Sequence, residues 1–145
     1  MKVRNILATK KGHLITIQAG GTVRQAIAML VEHRIGALIV VDESGKLVGI
    51  LSERDIMRTA ANDESLFGRP VADIMTRNVI VGMPQDDVIA VAHTMLEKRF
   101  RHLPILDEGQ LIGIISIGDV LKIQRDAYRG EVDTLETRII AEGEE

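Results

Sequence analysis

The chain contains no cysteine and no tryptophan, and its aromatic inventory stops at Phe67, Phe100 and Tyr128. Without thiols there is no disulfide framework, no thiolate metal site and no cysteine nucleophile. Without aromatic platforms the chain lacks the surface on which binders of single-stranded nucleic acid stack bases. Charge of one sign is also missing: 18 Lys and Arg stand against 21 Asp and Glu, interspersed, for a net charge of −3. No basic stripe marks a nucleic-acid footprint, so no nucleic-acid partner is expected. No apolar stretch reaches the roughly 20 residues of a membrane span, and the cationic N-terminus lacks the apolar centre of a secretory signal. A cytoplasmic protein with no membrane partner is the expectation.

What is present is the composition of a chain that folds: 46 % hydrophobic and 27 % charged residues, with only three prolines in 145 positions. A unit of about 60 residues buries only about 60 % of its unfolded surface. Two half-domains sharing one core are therefore expected rather than two independent ones.

The chain says one thing twice. Gly49-Ile50-Leu51-Ser52-Glu53-Arg54-Asp55 recurs as Gly113-Ile114-Ile115-Ser116-Ile117-Gly118-Asp119. At one offset Val23 matches Val88, Glu32 matches Glu97, Arg34 matches Arg99, and Asp42-Glu43 matches Asp107-Glu108. Omitting Ser44 resets the register, and Gly45, Leu47, Gly49, Ser52 and Asp55 then match Gly109, Leu111, Gly113, Ser116 and Asp119. Upstream, Val3 to Leu7 resembles Val71 to Met75. An internal repeat of this kind sets the architecture before any single residue is interpreted.

Each copy reads as β-α-β-β-α after a short helical lead-in. Leu14 to Ile17 and Val79 to Val81 are brief β-rich runs. Thr22 and Asp86-Asp87 supply N-cap oxygens for helices with core residues Val23, Ile27, Leu30 and Val31 in one copy and Val88, Val91, Met95 and Leu96 in the other. Ala37 to Val41 and Leu103 to Leu106 are continuous apolar runs, each followed by an acidic Gly turn and a second apolar run, which predicts a hairpin buried on both faces or nearly so. A second helix begins at the serine. Between the copies, residues 61–69 read as a polar linker, with Pro70 opening a new helix at its first position. After the second copy, Leu121, Tyr128 and Leu135 lie seven apart, predicting a long tail helix whose apolar stripe packs on its own domain or on a second copy of the chain.

Ser52-x-x-Asp55 and Ser116-x-x-Asp119 carry the chemistry. A helix N-terminus offers free N–H groups to an anion; a serine there can donate to phosphate, and an ionised aspartate one turn later accepts from the paired hydroxyls of a ribose. The same spacing is a capping box, in which both side chains satisfy only their own helix. Gly49 and Gly113 precede the two motifs and permit close backbone approach. Glu53 would repel an anion if it faced inward. Catalysis has no visible machinery: there is no nucleophile with a base, no G-x-x-x-x-G-K-[S/T] and no G-x-G-x-x-G. His13, His33 and His93 are too scattered for a metal site. No catalytic residue, metal site or catalytic cofactor is expected.

Two such repeats, each with an Asp-x-x-Gly-x-Leu-[Val/Ile]-Gly-Ile-like hairpin ending in Ser-x-x-Asp, resemble a tandem pair of CBS domains, the Bateman module. The resemblance runs from about Val3 to Lys122, and Arg101-His102-Leu103-Pro104-Ile105 followed by Asp107 is a further family-like phrase. It implies an α/β (α+β) fold of two pseudo-symmetric repeats packed through their sheets: repeat 1 over 1–61, a linker over 62–69, repeat 2 over 70–124 and a helical extension over 125–145. It also implies clefts that bind an adenosine compound, AMP, ADP, ATP or NAD(H) before S-adenosylmethionine, and a homodimer that regulates a partner protein. Position by position, the resemblance gives Asp55 and Asp119 the ribose, Ser52, Ser116 and Thr76 the phosphate, and Thr16 and Ile80 the adenine. Gly36 with Ala37, and Arg101 with His102, take equivalent strand entries. Arg101 and His102 then make phosphate binding asymmetric unless Arg54 compensates. The competing expectation is a constitutive interaction scaffold with no physiological ligand.

Overall fold

A computed structural model describes residues 1–10 and 14–128. In chain order the elements are α1 (Val3–Thr9), β1 (Thr16–Gln18), α2 (Val23–His33), β2 (Ala37–Val41), β3 (Leu47–Ser52) and α3 (Glu53–Ala60). Two short 3-10 turns, Leu66–Gly68 and Val71–Asp73, lead to α4 (Val88–Lys98), β4 (His102–Asp107), β5 (Gln110–Ser116) and α5 (Ile117–Ala127). The expected tail helix beyond 128 lies outside the described residues.

Local chemistry accounts for the helix starts. Thr22 accepts from the Gln25 N–H while the Gln25 side chain accepts from the Thr22 N–H, a reciprocal box at the head of α2. Asp87 accepts from the N–H groups of Ile89 and Ala90 at the head of α4. Both helices end on an arginine with left-handed backbone, Arg34 and Arg99. Their buried residues are Val23, Ala26 and Leu30 in α2 and Val88, Val91 and Met95 in α4. Val31 and Leu96, expected in the core, are 74 % and 73 % exposed. Each is the next residue after a buried one, turned about 100° onto the outer face.

In the first repeat β2 lies between a parallel β1 and an antiparallel β3, and every residue of β2 is buried. In the second, β4 and β5 pair antiparallel through a two-residue turn at Glu108-Gly109. The hairpins are not buried on both faces throughout, since Ile112 is 44 % exposed. The strand expected at Val79 to Val81 does not form. One parallel bridge, Gly82 to Ile105, takes its place. The next N–H, of Met83, is claimed by Asp86 Oδ2 at 2.8 Å, and Pro84 has none to offer, so the ladder stops after one rung. Pro70 also departs from expectation: it caps the Val71–Asp73 turn rather than occupying its first position.

Packing crosses the repeats. Val3 and Ile6 of α1 are buried with Val88, Met95, Ile105 and Ile115 of the second repeat. Val71 and Met75 are buried with Leu30, Leu38 and Leu51 of the first. Each lead-in segment thus completes the core of the other copy. The linker is anchored as well: Leu66 is 2 % exposed, Asp63 accepts from Arg69 at 2.8 Å, and the Arg24 guanidinium sits 5.2 Å from the Phe67 ring centre.

Candidate functional site

Both Ser-x-x-Asp motifs form capping boxes. Ser52 Oγ accepts from the Asp55 N–H at 3.2 Å, and Asp55 Oδ2 accepts from the Ser52 N–H at 2.9 Å. Ser116 Oγ accepts from the Asp119 N–H at 3.1 Å, and Asp119 Oδ2 accepts from the Ser116 N–H at 2.8 Å. The boxes differ in what reaches them from the crossed lead-ins. Thr76, just past Met75, donates to Asp55 Oδ1 at 3.2 Å. Lys10, just past α1, donates to Asp119 Oδ2 at 2.9 Å and to the Ile114 carbonyl at 2.7 Å.

These partners leave the two carboxylates in different states. Asp55 is 7 % exposed, with Ser52 and Thr76 bonded to it and Arg58 3.7 Å from Oδ1. Asp119 keeps Oδ1 free of any hydrogen bond among the described residues, because Lys10 and Ser116 both use Oδ2. Burial pulls the Asp119 carboxyl upward, but Lys10 and the Ser116 N–H outweigh it and hold the group below its ordinary value.

Gly49 and Gly113 do permit close approach, though of the protein's own chain rather than a ligand. A Cβ on Gly49 would lie 2.5 Å from Met75 Sδ, and one on Gly113 would lie 2.7 Å from Leu7 Cδ2. Each glycine is the seat of the crossed lead-in.

Two clefts open beside the boxes. The larger, about 480 Å³, is lined by Ser116, Asp119, Lys10, Arg34, Gly36, Ala37 and His102, with apolar walls from Leu7, Leu14, Ile15, Ile35, Ile112 and Ile114. The smaller, about 290 Å³, is lined by Ser52, Asp55, Thr76, Gly36 and His102, with Glu53 and the arginines 54, 58, 99 and 101 around them. Gly36 and His102 belong to both, so the clefts share a wall. The His102 ring would lie 3.4 Å from a Cβ on Gly36, with Glu53 Oε2 at 3.6 Å. Burial pushes the His102 imidazole below its ordinary value, against the pull of the Glu53 carboxylate.

Ten of the twelve expected site residues therefore border a cleft: Ser52, Arg54, Asp55, Thr76 and Arg101 the smaller, Ala37, Ser116 and Asp119 the larger, Gly36 and His102 both. Thr16 is not among the residues lining either; Leu14 and Ile15 hold the wall that was expected of it. Ile80 borders a separate cavity of about 250 Å³ between the Gly82 bridge and α4. Arg101 serves the Asp55 cleft, where Arg54 adds to the asymmetry of charge instead of offsetting it. Glu53 does face inward. Lys10, Arg34, Arg58 and Arg99 carried no local signal beyond the Arg34–Arg99 match, because crossing segments and helix ends bring them to the clefts.

No buried side-chain nitrogen or oxygen among the described residues lacks a hydrogen bond, and none of their His, Asp and Glu side chains cluster as a metal site. No described helix is long and apolar enough to cross a membrane.

The CBS domain profile matches residues 3–62 and 71–126. A 17.7 kDa protein of Acidianus ambivalens is 36 % identical over 129 residues, which cover 88 % of this chain and 75 % of that protein. The mitochondrial CBS domain-containing protein CBSX3 of Arabidopsis thaliana is 34 % identical over 81 % of the chain, which spans 60 % of that relative. Of the relatives from Methanocaldococcus jannaschii and Thermofilum pendens the chain spans 39 % and 32 %. Among solved structures, a CBS-domain containing protein from Agrobacterium tumefaciens superposes with a TM-score of 0.82 at 33 % identity, covering 86 % of this chain and 99 % of that one. A CBS domain pair in complex with 5-methylthioadenosine and S-adenosyl-L-methionine superposes at 0.78 with 29 % identity, and CBSX2 in complex with AMP at 0.76 with 29 % identity; each match covers 88 % of this chain and 98 % of the other.

Proposed function

The chain belongs to the CBS-domain family, and on that footing we propose that it is a non-catalytic regulatory module that binds an adenosine compound beside Asp119 and signals the occupancy to a partner protein. The observation that carries this reading is Asp119 Oδ1, left without a hydrogen-bond partner among the described residues at the rim of a cleft of about 480 Å³. Small-molecule sites fall at about 300–1,000 Å³, mostly apolar with a few placed polar groups. The free carboxylate oxygen takes ribose hydroxyls, the Leu14, Ile15 and Ile35 wall takes the purine, and Lys10 and Arg34 face the phosphate. Those cations favour AMP, ADP, ATP or NAD(H) over the sulfonium cation of S-adenosylmethionine. The ligands named with the two solved relatives share an adenosine, which supports that moiety as the common element.

The Asp55 cleft is the secondary site. There a ribose hydroxyl has to exchange with the Thr76 hydroxyl on Asp55, one donor for another. The exposed faces of Val31, Met57 and Leu96 support pairing with a second copy of the chain, which sedimentation equilibrium reads directly.

Thermal melts with AMP, ATP, NADH and S-adenosylmethionine test the ligand, since a binder of the folded state raises the midpoint with concentration. Asp119→Asn keeps an acceptor for the Ser116 N–H but removes the charge, and the AMP shift is expected to disappear. A full shift in that variant refutes the ribose assignment. One observation favours the scaffold reading, namely that both Ser-Asp pairs already satisfy their own helices. No shift with any of the four compounds decides for it.

A further inference from the structure

Three non-glycine residues among those described have left-handed backbone: Glu108 at φ 50°, Arg34 at φ 54° and Arg99 at φ 59°. Glu108 sits in the two-residue hairpin turn, whose geometry demands positive φ. Arg34 and Arg99 are the C-caps of α2 and α4, a place that glycine fills without steric conflict. The strained choice is thus made twice, at matched positions, with an arginine both times. A cation at a helix C-terminus is favoured by the helix dipole, but that holds for a lysine in the last turn as well and does not require the strained position. Ion pairs of arginines are made by Arg58, Arg69 and Arg125, and neither Arg34 nor Arg99 has one among the described residues. Strain held at the rim of a cleft is a pointer to function.

The two arginines cross over. Arg34 leaves the first repeat and lines the cleft of Asp119, in the second; Arg99 leaves the second and lines the cleft of Asp55, in the first. We propose that Arg34 and Arg99 are the anion-gripping, specificity-determining residues of opposite clefts, so that a phosphorylated nucleoside is held by the carboxylate of one repeat and the guanidinium of the other. This rests on the nucleoside-binding reading above and adds what selects a charged ligand over a neutral one. Bridging also gives the ligand a handle on how the repeats sit against each other, because it binds best only when carboxylate and guanidinium are correctly spaced.

The two clefts differ in how much rests on that single arginine. Around Asp119 the other lysine or arginine among the described lining residues is Lys10, already bonded to the carboxylate. Around Asp55, Arg99 shares the work with Arg54, Arg58 and Arg101. Arg34→Gly is therefore the informative change. Titrations of the full chain with AMP and with adenosine should show AMP binding weakened about 10-fold, the loss of one charge-assisted hydrogen bond, with adenosine unchanged. Arg34→Lys should restore part of the preference for AMP. The same Arg34→Gly variant should melt higher than wild type, by about 2 °C, because the left-handed strain is gone. Wild-type binding of both compounds with an unchanged AMP-to-adenosine ratio in Arg34→Gly overturns this proposal alone. Failure of wild type to bind either compound overturns the nucleoside reading and this proposal with it. A fall in melting temperature places the arginine's work in the fold and overturns the proposal too.

Discussion

One methyl group added at Gly49 probes the crossed packing of the repeats. The new Cβ would stand 2.5 Å from Met75 Sδ, 2.9 Å from Met75 Cγ and 2.9 Å from the Thr76 carbonyl oxygen, where ordinary contacts begin at about 3.5 Å. Met75 is 8 % exposed and has little room to swing. The Thr76 carbonyl accepts from the Ile50 N–H at 2.9 Å, and the Thr76 N–H donates back to Ile50 at 2.9 Å, so retreat breaks the bridge. Overpacking costs about 1–3 kcal/mol and a lost backbone hydrogen bond about 1 kcal/mol more, which puts Gly49→Ala at roughly 2–4 kcal/mol. For a chain of this size that is a fall in Tm of about 10 °C. At the matched Gly113 the only contact under 3.4 Å is with the tip of Leu7, a methyl that rotates away, so Gly113→Ala should cost about 1 kcal/mol or less. Gly20→Ala meets nothing within 4 Å and serves as the neutral control. Urea unfolding followed by circular dichroism ranks the three, and the cost of Gly49→Ala should shrink in a Met75→Ala background. Equal stability of Gly49→Ala and Gly20→Ala would mean that the Val71 to Met75 segment does not pack on β3.

Three further outcomes follow from the same contacts. Asp119 titrates below its ordinary 3.8, so it contributes stability above that value and loses it as pH falls through the lower folded-state value; Lys10→Met should flatten the acid limb of stability against pH between about pH 5 and 2, with under 1 kcal/mol lost at pH 7 because the pair is partly exposed. His102 titrates below 6.5, so the unfolded chain binds the extra proton first: stability is full above 6.5 and declines as pH falls toward the folded-state value. An NMR titration of the ring should place its midpoint below 6.5, and Glu53→Gln should lower it further; a midpoint above 6.5 refutes the buried placement against Gly36. Leu66→Ala, in a segment that composition marks as a polar linker, should cost about 2–5 kcal/mol by denaturant unfolding because the side chain is 2 % exposed; a cost under 0.5 kcal/mol would show the linker to be unpinned.

The tandem repeat was legible as a direct match of residues, and the helix caps and hairpins because each depends on residues two or three apart or on turns that tolerate few side chains. Thr22, Asp87, Ser52 and Ser116 cap the helices they precede through bonds reaching two or three residues along the chain. Nine of the twelve expected site residues flank those caps and strand entries and border a cleft, whereas Thr76 reaches one through its crossed lead-in. Even so, one motif fitted two roles, and only the hydrogen bonds separated Asp55, with both oxygens occupied, from Asp119, with one oxygen open among the described residues.

The crossing of the lead-ins could not be read from pattern. Val3 to Leu7 and Val71 to Met75 are alike, and so are the two cores that receive them, so hydrophobic spacing is degenerate between staying home and exchanging. Three-dimensional packing broke that degeneracy, seating Leu7 on Gly113 and Met75 on Gly49 and carrying Lys10 across 109 residues to Asp119. Apolar sequence states that a side chain gains by burial, whereas the space left by neighbours distant in the chain decides which side chains obtain it.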